Sequence, residues 1–425
     1  MRVPRLIIIV FAIVFTSIFL FNLFNKEVYA GNSTQTGQGQ VKIAVALPVS
    51  GTYGFFGKQF VNGVIFSAKQ NKNSGVKFLL VNLSPQAGRN VIKNMFRSFK
   101  QENIAGVIGP LFSSQLSYFT RYSSKYKIPV ISPAPVKNSH YDSPYLFNYG
   151  MTEKDQVKAD MRYAKDKGID FISAIYPDNA YGNKIASYLN RYAGKYGLTI
   201  QNTTAYAGKT VDFFYNFSSI VTFQNTGSGN MTKAQEQELG VTPYNLMHGI
   251  TKAKPQIPFD GLFVIGSADK LKLILTQLVY YNITGIHLFG LSDFDSPHFL
   301  GKYGFYMQGV VFPNGFFVHS GNMVVKDFVS KYLKYYGHKP NILSAEGYDI
   351  GDIMIKAALL AGNSQRQPEG RSVYKSLLNI KVFKGVCGIS RLFANTFKKS
   401  LYLFRLENNT IVILNSPFSN HYKPA

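Results

Sequence analysis

The chain is poor in cysteine, histidine and acid. Of its 425 residues one is cysteine, Cys387, and seven are histidine, with 22 acidic residues against 46 basic. A single cysteine excludes an internal disulfide, and a lone thiol among apolar neighbours reads as a small buried hydrophobe. The histidines are scattered, and no pair has the helical spacing of metal ligands. There is no Gly-x-Ser-x-Gly elbow for a nucleophilic serine and no Gly-x-x-x-x-Gly-Lys loop to cradle a phosphate. An enzyme is therefore not expected, nor a cofactor or a metal. Dense Lys/Arg runs are also missing, which argues against nucleic acid as a partner. A net charge of +24 spread in this way reads as a solvated basic surface. Its field favours anionic lipid head groups, cell-wall polymers or acidic proteins.

One long apolar run is present, Leu6–Phe21, preceded by Arg2 and Arg5 and followed by Val28-Tyr29-Ala30. A basic segment, an apolar segment and small residues before a cut describe a secretory signal, with cleavage expected after Ala30. An uncleaved membrane anchor is the alternative, because the run is close to the shortest that spans a bilayer. Either way the body of the protein is expected outside the cytoplasm, periplasmic or extracytoplasmic. Cleavage leaves roughly 395 residues, enough for two domains with their own cores, carrying about +22 of charge.

Residues 31–40 read as a flexible polar leader. Beyond them short apolar runs alternate with amphipathic stretches. Strands are expected at Val41–Leu47, Val76–Val81, Ile104–Ile108 and Pro129–Ile131, with helices at Gly57–Gln70, Ala87–Gln101 and Ser113–Lys125. A second set follows, with helices at Glu153–Lys167, Tyr181–Lys195, Asp212–Val221 and Ala268–Tyr281. Its strands are expected at Phe171–Ile175, Leu198–Ala205, Gly261–Ile265 and Ile286–Phe289. Two such sets imply two α/β lobes with parallel sheets. Helices near Met323–Tyr336 and Ser344–Ala361 and β-like segments at Gly388–Phe393, Leu401–Leu406 and Thr410–Leu414 complete the chain. Residues 224–258 break the pattern and read as a surface insertion, with a helix candidate at Thr232–Leu239.

The densest signal lies between Ile104 and Val136. The strand ending at Gly109 is followed by Pro110-Leu111-Phe112-Ser113-Ser114, and the next strand ends in Ile131-Ser132-Pro133-Ala134. Two strand ends bring hydroxyls and free backbone N–H groups to one rim, a place for a small anion such as a carboxylate.

These pieces, with Val41–Gly51, Asn179-Ala180-Tyr181-Gly182, Gly309–Pro313 and Ala345–Asp349, resemble the type 1 periplasmic binding proteins, in the leucine/isoleucine/valine-binding branch. The resemblance runs from Val41 to about Leu414. It implies two Rossmann-like lobes joined by three crossover segments, placed near Tyr149, Asn314 and Gly385, with ligand between them. Lobe 1 is then 41–149 and 315–385, lobe 2 is 150–314 and 386–416, and 417–425 is a tail.

The resemblance also implies site residues. Ser113 stands at the carboxylate-binding serine, with helix capping as its alternative role, and Ser114 is the next candidate. Ala134 matches a position of backbone contacts. Val136 falls where the family has a carboxylate-binding threonine, and Phe56 where relatives have a cleft tyrosine; both positions lose a hydroxyl. Tyr181 matches the tyrosine that covers the ligand. Asp293 is chosen as the ammonium partner over Asp295, which reads as a turn cap, and Asp293-x-Asp295-x-x-His298 reads as a turn rather than a metal site.

Two functions fit. One is an amino-acid-binding component feeding the membrane permease of an ABC importer. The alternative is an envelope regulator resembling penicillin-binding protein activators, which contact a cell-wall synthase. The segments Phe259–Ile265, Gln277–Gly285 and Val311–Phe317 look closer to that branch.

Overall fold

The computed structural model describes residues 25–28, 40–135, 143–223, 255–295, 297–362 and 369–418. They divide into two compact units. Among these residues, the first contains those up to Met151 and Gly315–Ser400; the second contains Thr152–Asn314 and 401–418.

The first unit is built on β1 (Asn25–Val28), β2 (Val41–Leu47), β3 (Val76–Asn82), β4 (Ile104–Ile108), β5 (Val130–Ser132) and β6 (Leu146–Asn148), with β12 (Val382–Gly385), β13 (Gly388–Phe393) and β14 (Thr396–Lys399). The sheet order is β1-β3-β2-β4-β5-β6-β14-β13-β12. Strands β3-β2-β4-β5-β6 are parallel. All five residues of β4, and five of the seven in β2, are buried, as expected of strands covered on both faces. One face packs on the helices Gly54–Gln70, Ile342–Ala361 and Gly370–Asn379. The other packs on the helices Arg89–Gln101 and Leu116–Tyr126.

The second unit contains β7 (Phe171–Pro177), β8 (Thr199–Tyr206), β9 (Gly261–Val264), β10 (His287–Phe289), β11 (Val311–Asn314), β15 (Tyr402–Glu407) and β16 (Thr410–Asn415), in the order β16-β15-β11-β10-β9-β7-β8. Its parallel part, β8-β7-β9-β10-β11, has the same winding as β3-β2-β4-β5-β6. In each, the first strand of the set lies between the second and the third. The winding direction therefore reverses between β2 and β4 and again between β7 and β9, and ligands of open α/β sheets bind outside the carboxyl ends of strands at such reversals.

Several expectations need correction. The third passage between units falls after Ser400, not near Gly385, because β13 pairs with β12 and with β14, and β14 pairs with β6, all in the first sheet. Residues 386–400 therefore belong to the first unit, as do Gly150 and Met151. Asp212–Val221 is helical only over Phe214–Ser218; the Asp212 carboxylate accepts from the Phe214 N–H (2.9 Å) and holds the preceding residues in a turn. Strand β1 falls inside the expected signal segment and pairs antiparallel with β3. The helix candidate Thr232–Leu239 lies outside the described residues, and Gln256, near the end of the insertion, bridges back to Thr222.

Helices Gly54–Gln70 and Ile342–Ala361 cross with almost no space between their backbones. A Cβ added at Gly63 would lie 2.0 Å from the Ser344 carbonyl oxygen, and one at Gly347 would lie 2.1 Å from that of Phe60. Gly347→Val is expected to cost about 3 kcal/mol by forcing the helices apart. A urea midpoint shift close to zero would show that the crossing yields freely.

Candidate functional site

In the first unit the rim is formed by the segments after β2, β4 and β5. After β2, the Val49 N–H donates to Asn82 Oδ1 (3.0 Å) and Asn82 Nδ2 donates to Ser50 Oγ (2.7 Å), so the loop is tied to the end of β3. A Cβ at Gly57 would stand 1.7 Å from the Pro48 carbonyl oxygen, which explains a glycine in the first turn of the following helix. Phe56 is 47% exposed, its ring edge-on to that of Phe55. Tyr53, also exposed, meets Phe112 edge-on with centroids 4.9 Å apart.

After β4, Ser113 opens a short 3-10 turn, Ser113–Gln115, half-buried, with Ser114 exposed beside it. Phe112 occupies the position before this turn and no side chain caps it, so the Ser113 hydroxyl is not the helix cap. After β5 the chain folds back on itself. Ser132 Oγ donates to the Pro110 carbonyl (2.9 Å) and accepts from the Ala134 N–H (3.1 Å), while Asn148 Nδ2 donates to the Ala134 carbonyl. Both backbone groups of Ala134 are therefore engaged within the unit, and Ala134 itself is buried. Val136 lies outside the described residues.

In the second unit the rim follows β7, β9 and β10. Asn179 Oδ1 accepts from the N–H groups of Tyr181 and Gly182, both at 3.0 Å, and starts the helix Ala180–Tyr196. Gly182 is required because a Cβ there would lie 1.9 Å from the Pro177 carbonyl oxygen. The cap and this close approach place Tyr181 at the strand end, half-buried. Burial pushes its phenol above the ordinary range, and the charges of Asp293 and Glu153 push it further.

Asp293 belongs to the 3-10 turn Ser292–Phe294 just after β10. The residue is exposed overall, yet loss of water around its carboxyl raises the pKa; its own backbone N–H opposes this and Glu153 adds to it. The turn is clamped from two sides. Gln156 Oε1 accepts from the Ser292 N–H (2.8 Å), and Asn314 Nδ2 on β11 donates to Asp295. Asp295 is thus tied to β11. Among the described residues no three His, Cys, Asp or Glu side chains are grouped as a metal site.

Sequence reasoning missed Glu153, Gln156 and Lys184. Glu153 and Gln156 lie on the helix Glu153–Asp166, which is opened by a Thr152/Asp155 capping box. Lys184 donates to Glu153 at 2.7 Å and stands 5.8 Å from the centroid of the Tyr181 ring. The lysine thereby pairs with Glu153 beside the Tyr181 ring, and Tyr181 also feels the charge of Asp293. A carboxylate and a half-buried aromatic ring are the groups that hold an ammonium.

The same helix carries Asp160, fully buried, with neither carboxyl oxygen hydrogen-bonded among the described residues. Burial raises its pKa well above the ordinary carboxylate range. Its contribution to stability is therefore complete below the unfolded value and is lost as pH rises through the folded one. Asp160→Asn should flatten the dependence of melting temperature on pH above 4, gaining most over the parent chain at alkaline pH. Parallel melting curves for the two proteins from pH 4 to 8 would contradict this.

The family model for periplasmic binding proteins matches residues 40–227 and 240–410. The chain belongs to the periplasmic binding protein family. Among curated relatives it is 24% identical over 187 residues to Leu/Ile/Val-binding protein homolog 7 of Brucella suis, covering 40% of this chain and 47% of that protein. The match thus spans about half the length of the relative. Solved structures that share the fold include the substrate-binding protein LivJ of Streptococcus pneumoniae with isoleucine (17% identity, 88% of this chain and 97% of that one, TM-score 0.61). An ABC transporter substrate-binding protein of Sphaerobacter thermophilus is also similar (16%, 88% and 96%, 0.67), as is a solute-binding protein of R. palustris with benzoate (15%, 89% and 97%, 0.61).

Proposed function

We propose that this periplasmic binding protein is an extracytoplasmic solute receptor, capturing an amino acid or a similar small amine-bearing acid for an ABC importer. The observation that carries the reading is Asp293 beside Tyr181 at the β10 end, with the nearby cation Lys184 already spent on Glu153. Asp293 would take the ligand's ammonium and the Tyr181 ring would cover it. On the first unit the Ser113 hydroxyl would take the carboxylate, since the Ala134 N–H is held by Ser132. Ser114 and Phe56 would border the ligand, Phe56 supplying apolar surface where the family supplies a hydroxyl. The relatives that bind isoleucine and branched-chain amino acids support this ligand class, and the benzoate-bound neighbour shows that the fold also accepts acids without an amine.

Thermal melting of residues 31–425 against amino acids, small peptides, organic acids and cell-wall fragments tests the reading. A rise confined to amino acids is expected, about 2.7 kcal/mol of stabilisation at a hundredfold excess over Kd. A rise confined to aromatic or aliphatic acids lacking an amine would remove Asp293 from its role.

A further inference from the structure

Helix Arg89–Gln101 carries Arg89, Lys93, Arg97 and Lys100 at intervals of four, four and three residues. At roughly 3.6 residues per turn they fall within an arc of about 80°, a ridge of positive charge about 16 Å long. Helix Leu116–Tyr126 packs beside it through the rings of Phe96, Phe119 and Tyr122, and Arg89 Nε donates to Tyr122 Oη (3.4 Å). Arg121 and Lys125 stand exposed on this second helix, again four apart.

Neighbouring like charges at this spacing repel, and a soluble helix usually intersperses acids among them. This face does not. Between Val28 and Tyr141 the chain has one acidic residue, Glu102, at the end of the first helix and bonded to Ser98 (3.0 Å). Among the described residues none of the six cations forms a salt bridge. Lys93 is half-buried and the other five are exposed.

We propose that the face formed by helices Arg89–Gln101 and Leu116–Tyr126 docks the first unit on a bilayer rich in anionic phospholipid. Two features favour a bilayer over a folded acidic partner. The cations are distributed along two side-by-side helices, suited to many independent head groups. In the sequence, the apolar run Leu6–Phe21 also ends a few residues before β1, which pairs with β3 in the sheet of this unit. The attraction acts within about one Debye length, roughly 10 Å at 0.1 M salt, so docking must be steeply salt-dependent.

The test is co-sedimentation of residues 31–425 with vesicles of phosphatidylglycerol and phosphatidylcholine, and with phosphatidylcholine alone. Binding is expected only to the anionic vesicles, falling at least tenfold between 50 and 500 mM salt, on the order expected of a screened multivalent contact. Arg97→Glu/Arg121→Glu should weaken it at least tenfold with an unchanged melting temperature. Lys326→Glu/Lys334→Glu, the same charge change on the exposed face of helix Met323–Tyr336, should leave most of it. Equal loss in both variants would reduce the effect to net charge and overturn the proposal. So would binding to soluble polyglutamate or heparin without binding to vesicles.

Discussion

Replacing Lys399 by methionine is expected to cost about 3–5 kcal/mol of folding stability, because it strands a buried carboxylate. Lys399 Nζ lies 2.5 Å from Glu346 Oε1, with the side chains 3% and 9% exposed. The ammonium also sits 4.0 Å over the Tyr149 ring. Tyr149 Oη donates to Asp349 (2.7 Å), which accepts further from the backbone N–H groups of Val386 (2.8 Å) and Cys387 (2.9 Å). The pair and the carboxylate thus join the ends of β6, β12 and β14 to the helix Ile342–Ala361 inside the first unit. A glycine at 385 is required for this, since a Cβ there would stand 2.4 Å from the Asp349 carboxyl.

The double variant Glu346→Gln/Lys399→Met should recover much of the loss, since no charge is then left unpaired. Chemical denaturation of the three variants checks this, and a loss below about 1 kcal/mol for Lys399→Met would mean that the pair is dispensable. Burial raises the Asp349 carboxyl to about 6 against its hydrogen bonds and the Lys399 charge. Its favourable contribution is therefore greatest below the unfolded value and disappears as pH rises to about 6. Loss of Lys399 should extend that decline to higher pH.

The second large effect concerns the ligand. Asp293→Ala and Ser113→Ala should each abolish the stabilisation that a bound amino acid provides, a loss of several kcal/mol at saturating excess. Asp295→Ala should retain it, because that carboxyl is committed to Asn314. Its own cost falls instead on the clamp of the turn after β10 and is read from melting without ligand. Equal loss of ligand response in all three variants, or in none, would displace the site from the Ser113 and Asp293 rims.

Much of the fold was legible because strands such as β2 and β4 are unbroken apolar runs and the helices between them carry a 3.6-residue period. The lobe assignment of residues 386–400 was not. Their short antiparallel strands find partners far away in the chain; Asn395, for instance, bonds the Pro144 carbonyl 251 positions earlier. At the site, Tyr181 and Asp293 could be placed from strand ends and motif order. Glu153 and Lys184 could not, since their ion pair joins the starts of two helices 31 residues apart. Nor could the fate of the Ala134 N–H, which depends on the Ser132 hydroxyl turning back along its own chain. The cationic ridge was visible only at helical spacing. Read linearly, Arg89, Lys93, Arg97 and Lys100 form no dense run.

The most direct test of the central claim is calorimetric titration of the chain with the common L-amino acids, after unfolding and refolding to strip any ligand carried from expression. Saturable one-to-one binding of an amino acid is expected, lost in Asp293→Ala and kept in Asp295→Ala. Refolded protein with a normal melting transition that binds none of them, or binds them equally well without the Asp293 carboxylate, would contradict it.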